Sequence, residues 1–427
     1  MVQGALPGFR DFYPDKFAEH AYILSVWRDV LRRYAFVEYD GPPLEPLELY
    51  RKKSGDELVG QLFAFTDKGD REVAMRPEMT PTFARMVGAR ANSLRKPVRW
   101  FSIPQLFRYE KQQKGRLREH FQLNADIVGE AGVAADAELL AIALDVMRTF
   151  GLGRIDVEAR VSDRRLLDAL LLDAGVTNAA LAGVYAVIDK RSREPANVSR
   201  EKLEAATGSH EAADRVEAIL GCSDVASLVR RYSSVNSATE HIERMRQYLG
   251  YVSALGFGEW VRLDMSIVRG LAYYTGIVFE LFDAAGELRA ICGGGRYDTL
   301  LATLGGVDLP ALGFGMGDVV LGDFLRSRGL IPAATSAIDF WIAADDDTLL
   351  EDVMMVASQL RRRNRSVEYA LRPQQLGKQL KAAAAVGART AVLLLQKQYA
   401  THEVTVKDME TGAERSLSLD EFLNTLN

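Results

Sequence analysis

The chain has 427 residues, with 53 Lys and Arg against 58 Asp and Glu and a net charge of −5. That balance excludes a protein that coats nucleic acid by bulk charge, because displacing counterions from a polyanion needs a surplus of cationic side chains. An apolar share of 48% with 26% charged residues describes a folded, water-soluble chain, and its length predicts two or three domains rather than one core. Two cysteines, Cys222 and Cys292, build no disulfide framework, and the five histidines show no HExxH spacing, so no dedicated metal site is expected. The opening "MVQGALPGFRDFYPDKF" lacks a basic start followed by an apolar run, and no stretch is apolar for a membrane span, which gives a cytoplasmic reading.

Helical spacing of Ala18, Ala21, Leu24, Trp27, Val30, Leu31 and Tyr34 predicts an amphipathic helix over 15–36. "GPPLEP" ends it, since proline lacks the amide donor. "LFAFT" and "EVAMR", joined by "DKGDR", predict a hairpin within 63–75. Next comes "FRYEKQQKGRLREHFQ", residues 107–122, an unusually basic stretch for an acidic chain. Alternation on either side of it predicts two strands, placing Arg108, Glu110, Gln122, Asn124 and Asp126 on one polar face. A helix is predicted over 136–150 with Gly151 as its left-handed cap, then a strand over 155–162.

Residues 163–255 read as helical throughout, and strand patterns resume at "WVRLDMSIVRG". The block therefore interrupts a core spanning 1–330. "IPAATSA" at 331–337 has linker composition, and strands and helices alternate beyond it, predicting a separate α/β module over 336–427.

Four segments carry chemistry. "AMRPEMTP" places Glu78 just past a strand. The basic hairpin adds Lys114, Arg116 and Arg118 around Gly115, as a clamp for phosphates would. "SIVRGLAYYTGIVFE" brings Arg269, whose planar fork suits carboxylate or phosphate, beside Tyr273 and Tyr274, which supply flat walls. "CGGGRYDTL" and "ALGFGMGDVVL" remove side chains at Gly293, Gly294, Gly295, Gly313, Gly315 and Gly317. Neither glycine run is a Walker loop, and the second is not a dinucleotide fingerprint.

In this order the segments resemble the class II aminoacyl-tRNA synthetases, and specifically the histidyl-tRNA synthetases. "PPLEPLELY" is similar to the first motif, the basic hairpin to the second and "GFGMGDVVL" to the third. "IVRGLAYYTG" and "GGRYD" resemble segments peculiar to the histidine enzymes. The resemblance implies an α+β fold: an antiparallel-sheet catalytic domain with a helical insertion and a C-terminal α/β anticodon-binding domain. It implies activation of L-histidine with ATP and Mg²⁺ and transfer to the 3′ end of histidine tRNA, in a homodimer. Arg108 and Arg269 would be the catalytic cations. Glu78, Met79, Thr80, Arg108, Gln122, Asp126, Arg269, Tyr273, Tyr274 and Tyr297 would hold histidine. Arg108, Glu110, Arg116, Arg118, Gly313 and Gly315 would hold ATP.

Two positions depart from the family pattern: Val320 stands where the third motif usually has arginine, with Arg326 or Arg328 as nearby substitutes, and Met79 stands where glycine is common. The missing arginine gives weight to an alternative, the non-catalytic histidine-sensing regulatory subunit of ATP phosphoribosyltransferase. Retention of Arg108, Arg269, the tyrosines and the C-terminal module weighs against it. A plain RNA-binding module would not need Glu78, Gln122, Asp126 and Arg269 together.

Overall fold

The computed structural model describes residues 4–51, 60–110, 115, 117–269, 273–286, 288–333 and 338–426. The chain divides into two units, Met1–Pro332 and Ala333–Asn427.

The first unit opens with the helix Pro14–Arg33, whose buried stripe is His20, Ile23, Trp27, Val30 and Leu31, with Val26. Ala21 faces solvent, so the apolar stripe is rotated slightly from the one the sequence suggests. The chain turns out of the helix at Ala35, in the left-handed region at φ 59°. Strand β1 (Val37–Glu38) follows, then β2 (Leu44–Pro46), β3 (Ala64–Thr66) and β4 (Glu72–Met75). The last three form a small antiparallel sheet, and β3–β4 is the expected hairpin. Its turn is tied by the Asp67 carboxylate, which accepts from the amides of Gly69 and Arg71 at 2.8 and 3.0 Å.

After the helix Thr80–Arg90 come β5 (Val98–Ser102), β6 (Gln105–Phe107) and β7 (Glu119–Val128). The sequence suggests one strand through Glu110; the structure divides it at Ile103–Pro104 and ends β6 at Phe107. A proline cannot donate to a ladder, which accounts for the break. Arg108 and Glu110 therefore lie just beyond the strand rather than on it. The buried helix Val133–Thr149 follows, and Gly151 takes φ 89° after it, as the left-handed cap requires.

β8 (Val157–Asp163) leads into six helices, from Arg164–Asp173 to Asn236–Ala254, before β9 (Val261–Leu263), β10 (Ile277–Asp283), β11 (Cys292–Arg296) and β12 (Ala311–Gly317). The main sheet runs in the order β1-β5-β7-β12-β11-β10-β8-β9, with β6 paired to β7. Pairings are antiparallel except β1 with β5 and β8 with β9. The helix Val133–Thr149 is apolar nearly all round and packs between the first helix and the helix Asn236–Ala254. It shares a core with Leu123, Ala125, Ile127, Leu312, Phe314 and Met316, which fixes one face of the sheet as the greasy one. The alternate residues of β7 and β12 consequently point the other way, and that face builds the site.

The second unit is a five-stranded sheet in the order β14-β13-β15-β16-β17, where β13 is Phe340–Ala344, β14 Val367–Tyr369, β15 Thr390–Leu394, β16 Glu403–Asp408 and β17 Glu414–Ser418. Helices Leu350–Arg362 and Leu376–Ala385 connect the parallel strands, giving the α/β pattern read from the sequence. Of the "IPAATSA" linker, residues 334–337 lie outside the described residues.

Candidate active site

Strand register places the glycines in line. Asn124 of β7 pairs with Gly315 of β12, Gly315 with Gly293 of β11, Gly293 with Glu280 of β10, and Glu280 with Arg160 of β8. One row along, Asp126 pairs with Gly313, and Gly313 with Gly295. The sheet thus has a floor without side chains, framed by polar residues. That space is filled by the protein's own functional groups. A Cβ on Gly293 would lie 1.5 Å from Arg269 Nη1, one on Gly313 2.0 Å from Asp126 Oδ1, and one on Gly315 2.9 Å from the Gln122 amide.

Arg269 is held over this floor by Glu280, whose Oε1 accepts from Nη1 at 2.9 Å, and its guanidinium lies 5.5 Å from the Tyr274 ring centre. Its backbone sits at φ 55°, a left-handed conformation that a bulky residue rarely adopts. Burial opposes its charge, but the groups around it, Glu280 among them, more than offset that and keep it protonated. Burial also raises the Glu280 carboxyl against the pull of Arg269. Among the described residues the Arg269 Nε is buried without a hydrogen-bond partner, so the guanidinium retains a donor for a ligand.

A cavity of about 1140 Å³ opens above the floor. Arg108, Glu110, Gln122, Arg269 and Gly315 line it, with Gly293, Glu280 and Arg160 beyond them. Arg108 anchors through Nε to the carbonyl of Pro77 at 2.9 Å, leaving its guanidinium 3.9 Å from Glu110. Beside the cavity lies a buried aromatic cluster. The Tyr297 hydroxyl donates to Asp126 Oδ1, Tyr273 stacks 4.8 Å from Tyr274, and Tyr273 meets Tyr297 edge-on at 5.8 Å. Burial, then the Asp126 carboxylate, drives the Tyr297 phenol far above its ordinary range, so it stays a donor. Burial, then Tyr274 and Glu78, raises the Tyr273 phenol as well.

The remaining expected residues divide. Glu78 and Met79 are buried, Met79 with its terminal methyl toward Gly41, and Thr80 begins the helix Thr80–Arg90. Arg118 does not turn toward the cavity: its guanidinium stacks on Tyr109 at 4.1 Å and reaches the Pro7 carbonyl at 3.4 Å. Lys114 and Arg116 lie outside the described residues. Val320 lines the cavity near Gly115. Neither suggested substitute takes the place of the missing arginine. Arg326 pairs with Glu19 and Asp323, and Arg328 with Asp156 and Asp283.

Several participants were not singled out from the sequence. Glu280 and Arg160 alternate with apolar neighbours in "IVFELFD" and "VEARVSD", a pattern that marks the face but not its use. Arg296, in "GGGRYD", is fully buried and bonds Asp136 through Nη2 at 2.6 Å, a structural pair beneath the floor. Asp318 opens the helix Asp318–Ser327, accepts from the Phe121 amide at 3.0 Å and from Arg10 at 2.9 Å, and is pushed up by burial to about 6. From the helical block, Asp189, Arg191, Arg193 and Glu217 reach the cavity, and Arg191 pairs with Glu217 at 2.5 Å.

A family model described as Histidyl-tRNA synthetase matches residues 8–317, and one described as Anticodon binding domain matches 331–427. The chain is 43% identical over 418 residues to a histidine–tRNA ligase of Opitutus terrae, covering 96% of this chain and 94% of the relative. It is 38% identical to a chloroplastic/mitochondrial histidine–tRNA ligase of Arabidopsis thaliana, covering 97% and 85%. The crystal structure of a histidyl-tRNA synthetase from Nostoc shares the fold, with a TM-score of 0.83 at 22% identity over 100% of this chain and 99% of that one. A floor of glycines, two arginines facing a common cavity and a cluster of three tyrosines beside it thus occur in a chain matched over nearly its full length by these relatives: the chain belongs to the histidyl-tRNA synthetase family.

Proposed function

We propose that Arg108, Arg269, Glu78, Gln122, Asp126 and the three tyrosines carry the reaction of this chain, ligation of histidine to tRNA with ATP. The observation that supports this most is Arg269, fixed by Glu280 over Gly293, its Nε unpaired among the described residues, in the same cavity as Arg108. Forming an acyl adenylate brings a carboxylate onto phosphorus, two anions together, so fixed cations lower the barrier by offsetting their repulsion. Glu78 pairs with the substrate ammonium. Asp126, steadied by the Tyr297 hydroxyl, accepts from the imidazole N–H, and a pocket that hydrogen-bonds the ring rejects apolar analogues.

ATP takes the outer cavity, where Arg108, Glu110 and Gly315 stand. With Val320 in place of the usual arginine, the wall there offers neutral groups: Leu117, Val320 and His120. Burial, then Arg108 and Arg10, lowers the His120 imidazole to about 3, so it is uncharged at neutral pH. Mg²⁺ arrives on the ATP. Among the described residues no cluster of three acidic, His or Cys side chains is arranged for a metal, and a cation held mainly by phosphates and water needs one or two carboxylates, for which Glu110 is suited.

The same proposal includes a histidine tRNA read by the module at 336–427, a 163–255 insertion beside the cavity, a cytoplasmic location and a homodimer. No described helix is long and apolar enough to cross a membrane. The test is histidine-dependent exchange between ATP and pyrophosphate, followed by charging of histidine tRNA. Folded, histidine-binding protein without exchange would overturn the assignment in favour of a sensing subunit.

A further inference from the structure

Arg164 and Arg165 open the first helix of the helical block, directly after β8. Both reach back toward the site. Arg164 Nη1 donates to the Val268 carbonyl at 2.7 Å, and its backbone amide donates to the Gly276 carbonyl at 3.0 Å. Arg165 Nε donates to the Thr275 carbonyl at 2.8 Å, and its Nη2 to Asp298 at 2.6 Å. The acceptors frame the chemistry: Val268 precedes Arg269, Thr275 follows Tyr274, and Asp298 follows Tyr297. Asp298 also donates its amide to Thr275 Oγ1 at 3.0 Å, so Arg165 joins the two segments that carry the tyrosines.

Arg269 needs such a restraint. Its φ of 55° is a conformation that a long side chain holds only when its surroundings impose it. A charge-assisted bond to the carbonyl immediately before it is one source of that force. Arg164 is held in turn from the helical block, where the Tyr185 ring lies 3.8 Å from its guanidinium and the Tyr185 hydroxyl donates to Asp168 at 2.6 Å. Arg164, Arg165 and Tyr185 do not line the cavity.

We propose that Arg164 and Arg165 are positioning residues for histidine activation: Arg164 sets Arg269 over Gly293, and Arg165 sets the tyrosine wall of the histidine pocket. Arg164 and Arg165 thereby tie the helical block to both substrates' sites without lining the cavity themselves. The proposal rests on the roles given above to Arg269 and the tyrosines.

Arg164→Ala, Arg164→Lys, Arg165→Ala and Tyr185→Leu, with Arg269→Ala as control, are compared by pyrophosphate exchange, with folding followed by circular dichroism and thermal midpoint. Arg164→Ala is expected to lower kcat at least tenfold with the histidine KM within threefold. Arg164→Lys, which keeps one donor for the Val268 carbonyl, recovers at least a third of that loss on a logarithmic scale. Arg165→Ala raises the histidine KM at least fivefold with a smaller change in kcat. Tyr185→Leu lowers kcat threefold or more, and serves in place of Arg164→Ala should that variant not fold. Constants within twofold of the parent in the folded variants, or equal changes in kcat and KM throughout, overturn the proposal while leaving the site intact if Arg269→Ala is inactive. Exchange surviving in Arg269→Ala overturns the site assignment and this linkage with it.

Discussion

Gly293→Ala separates the job of the glycine floor from the stability of the sheet. The added methyl would sit 1.5 Å from Arg269 Nη1 and 2.5 Å from its Cζ, and its three nearest neighbours are all atoms of that one guanidinium. Ordinary contact needs about 3.5 Å, so the guanidinium must move by about 2 Å, which breaks its 2.9 Å bond to Glu280. No backbone atom is among those neighbours, so the strand itself accepts alanine. Relative to glycine the substitution stabilises an extended backbone by about 0.5–1 kcal/mol. Loss of one preorganised donor to a developing anion lowers kcat by about 10²–10³, or 2.7–4 kcal/mol. The expected protein is therefore folded but nearly inactive in pyrophosphate exchange, the backbone gain opposing the loss of the Arg269–Glu280 pair in its stability. Exchange within threefold of the parent in a folded Gly293→Ala protein would refute the reasoning, because it would mean that Arg269 works equally well from elsewhere.

Gly295→Ala, by contrast, meets the Ile277 carbonyl at 2.7 Å, so it should destabilise the fold by about 1–3 kcal/mol, seen as a lower denaturation midpoint. Asp126→Ala and Tyr297→Phe should each raise the histidine KM, Asp126→Ala the more, since it leaves the buried Tyr297 donor unpaired; an unchanged KM in both removes Asp126 from the imidazole pocket. Arg118→Ala should change the ATP KM less than threefold, because its guanidinium is committed to Tyr109 and Pro7. His120, whose folded value of about 3 lies below its ordinary 6.5, binds its proton more readily when unfolded. Its contribution is complete above pH 6.5 and is lost as pH falls toward 3, by at most about 1.4 kcal/mol per unit. His120→Asn should flatten that part of the midpoint-versus-pH curve.

Periodicity was enough for the elements whose burial is one-sided. The first helix, the β3–β4 hairpin, the α/β pattern of the second unit and the polar face of β7 were all legible from it. What periodicity does not carry is pairing between distant strands, and the site depends on that. Gly293 and Gly315 become a floor only because β11 pairs with β12, and Glu280 becomes the partner of Arg269 only because β10 lies next to β11. Pro104 showed where a strand must break, yet the alternation running through it suggested a continuous one. The helical block was visible, whereas its contribution to the cavity through Asp189, Arg191 and Arg193 was not, since their pattern is that of a solvated helix end. The direction of Arg118 was beyond the sequence too: a basic residue in a basic loop carries no sign of the aromatic ring it stacks on.

The glycine floor also separates two kinds of change that most binding sites confound. Because Gly293, Gly313 and Gly315 contribute backbone and no side chains, the shape of the site there belongs to Arg269, Gln122 and Asp126, which fill the space above them. Substrate preference is therefore open to revision at a few marginal positions while strand pairing stays as it is. Replacing Gly293, Gly313 or Gly315 offers no such gradual path, for there an added methyl arrives where a functional group already lies.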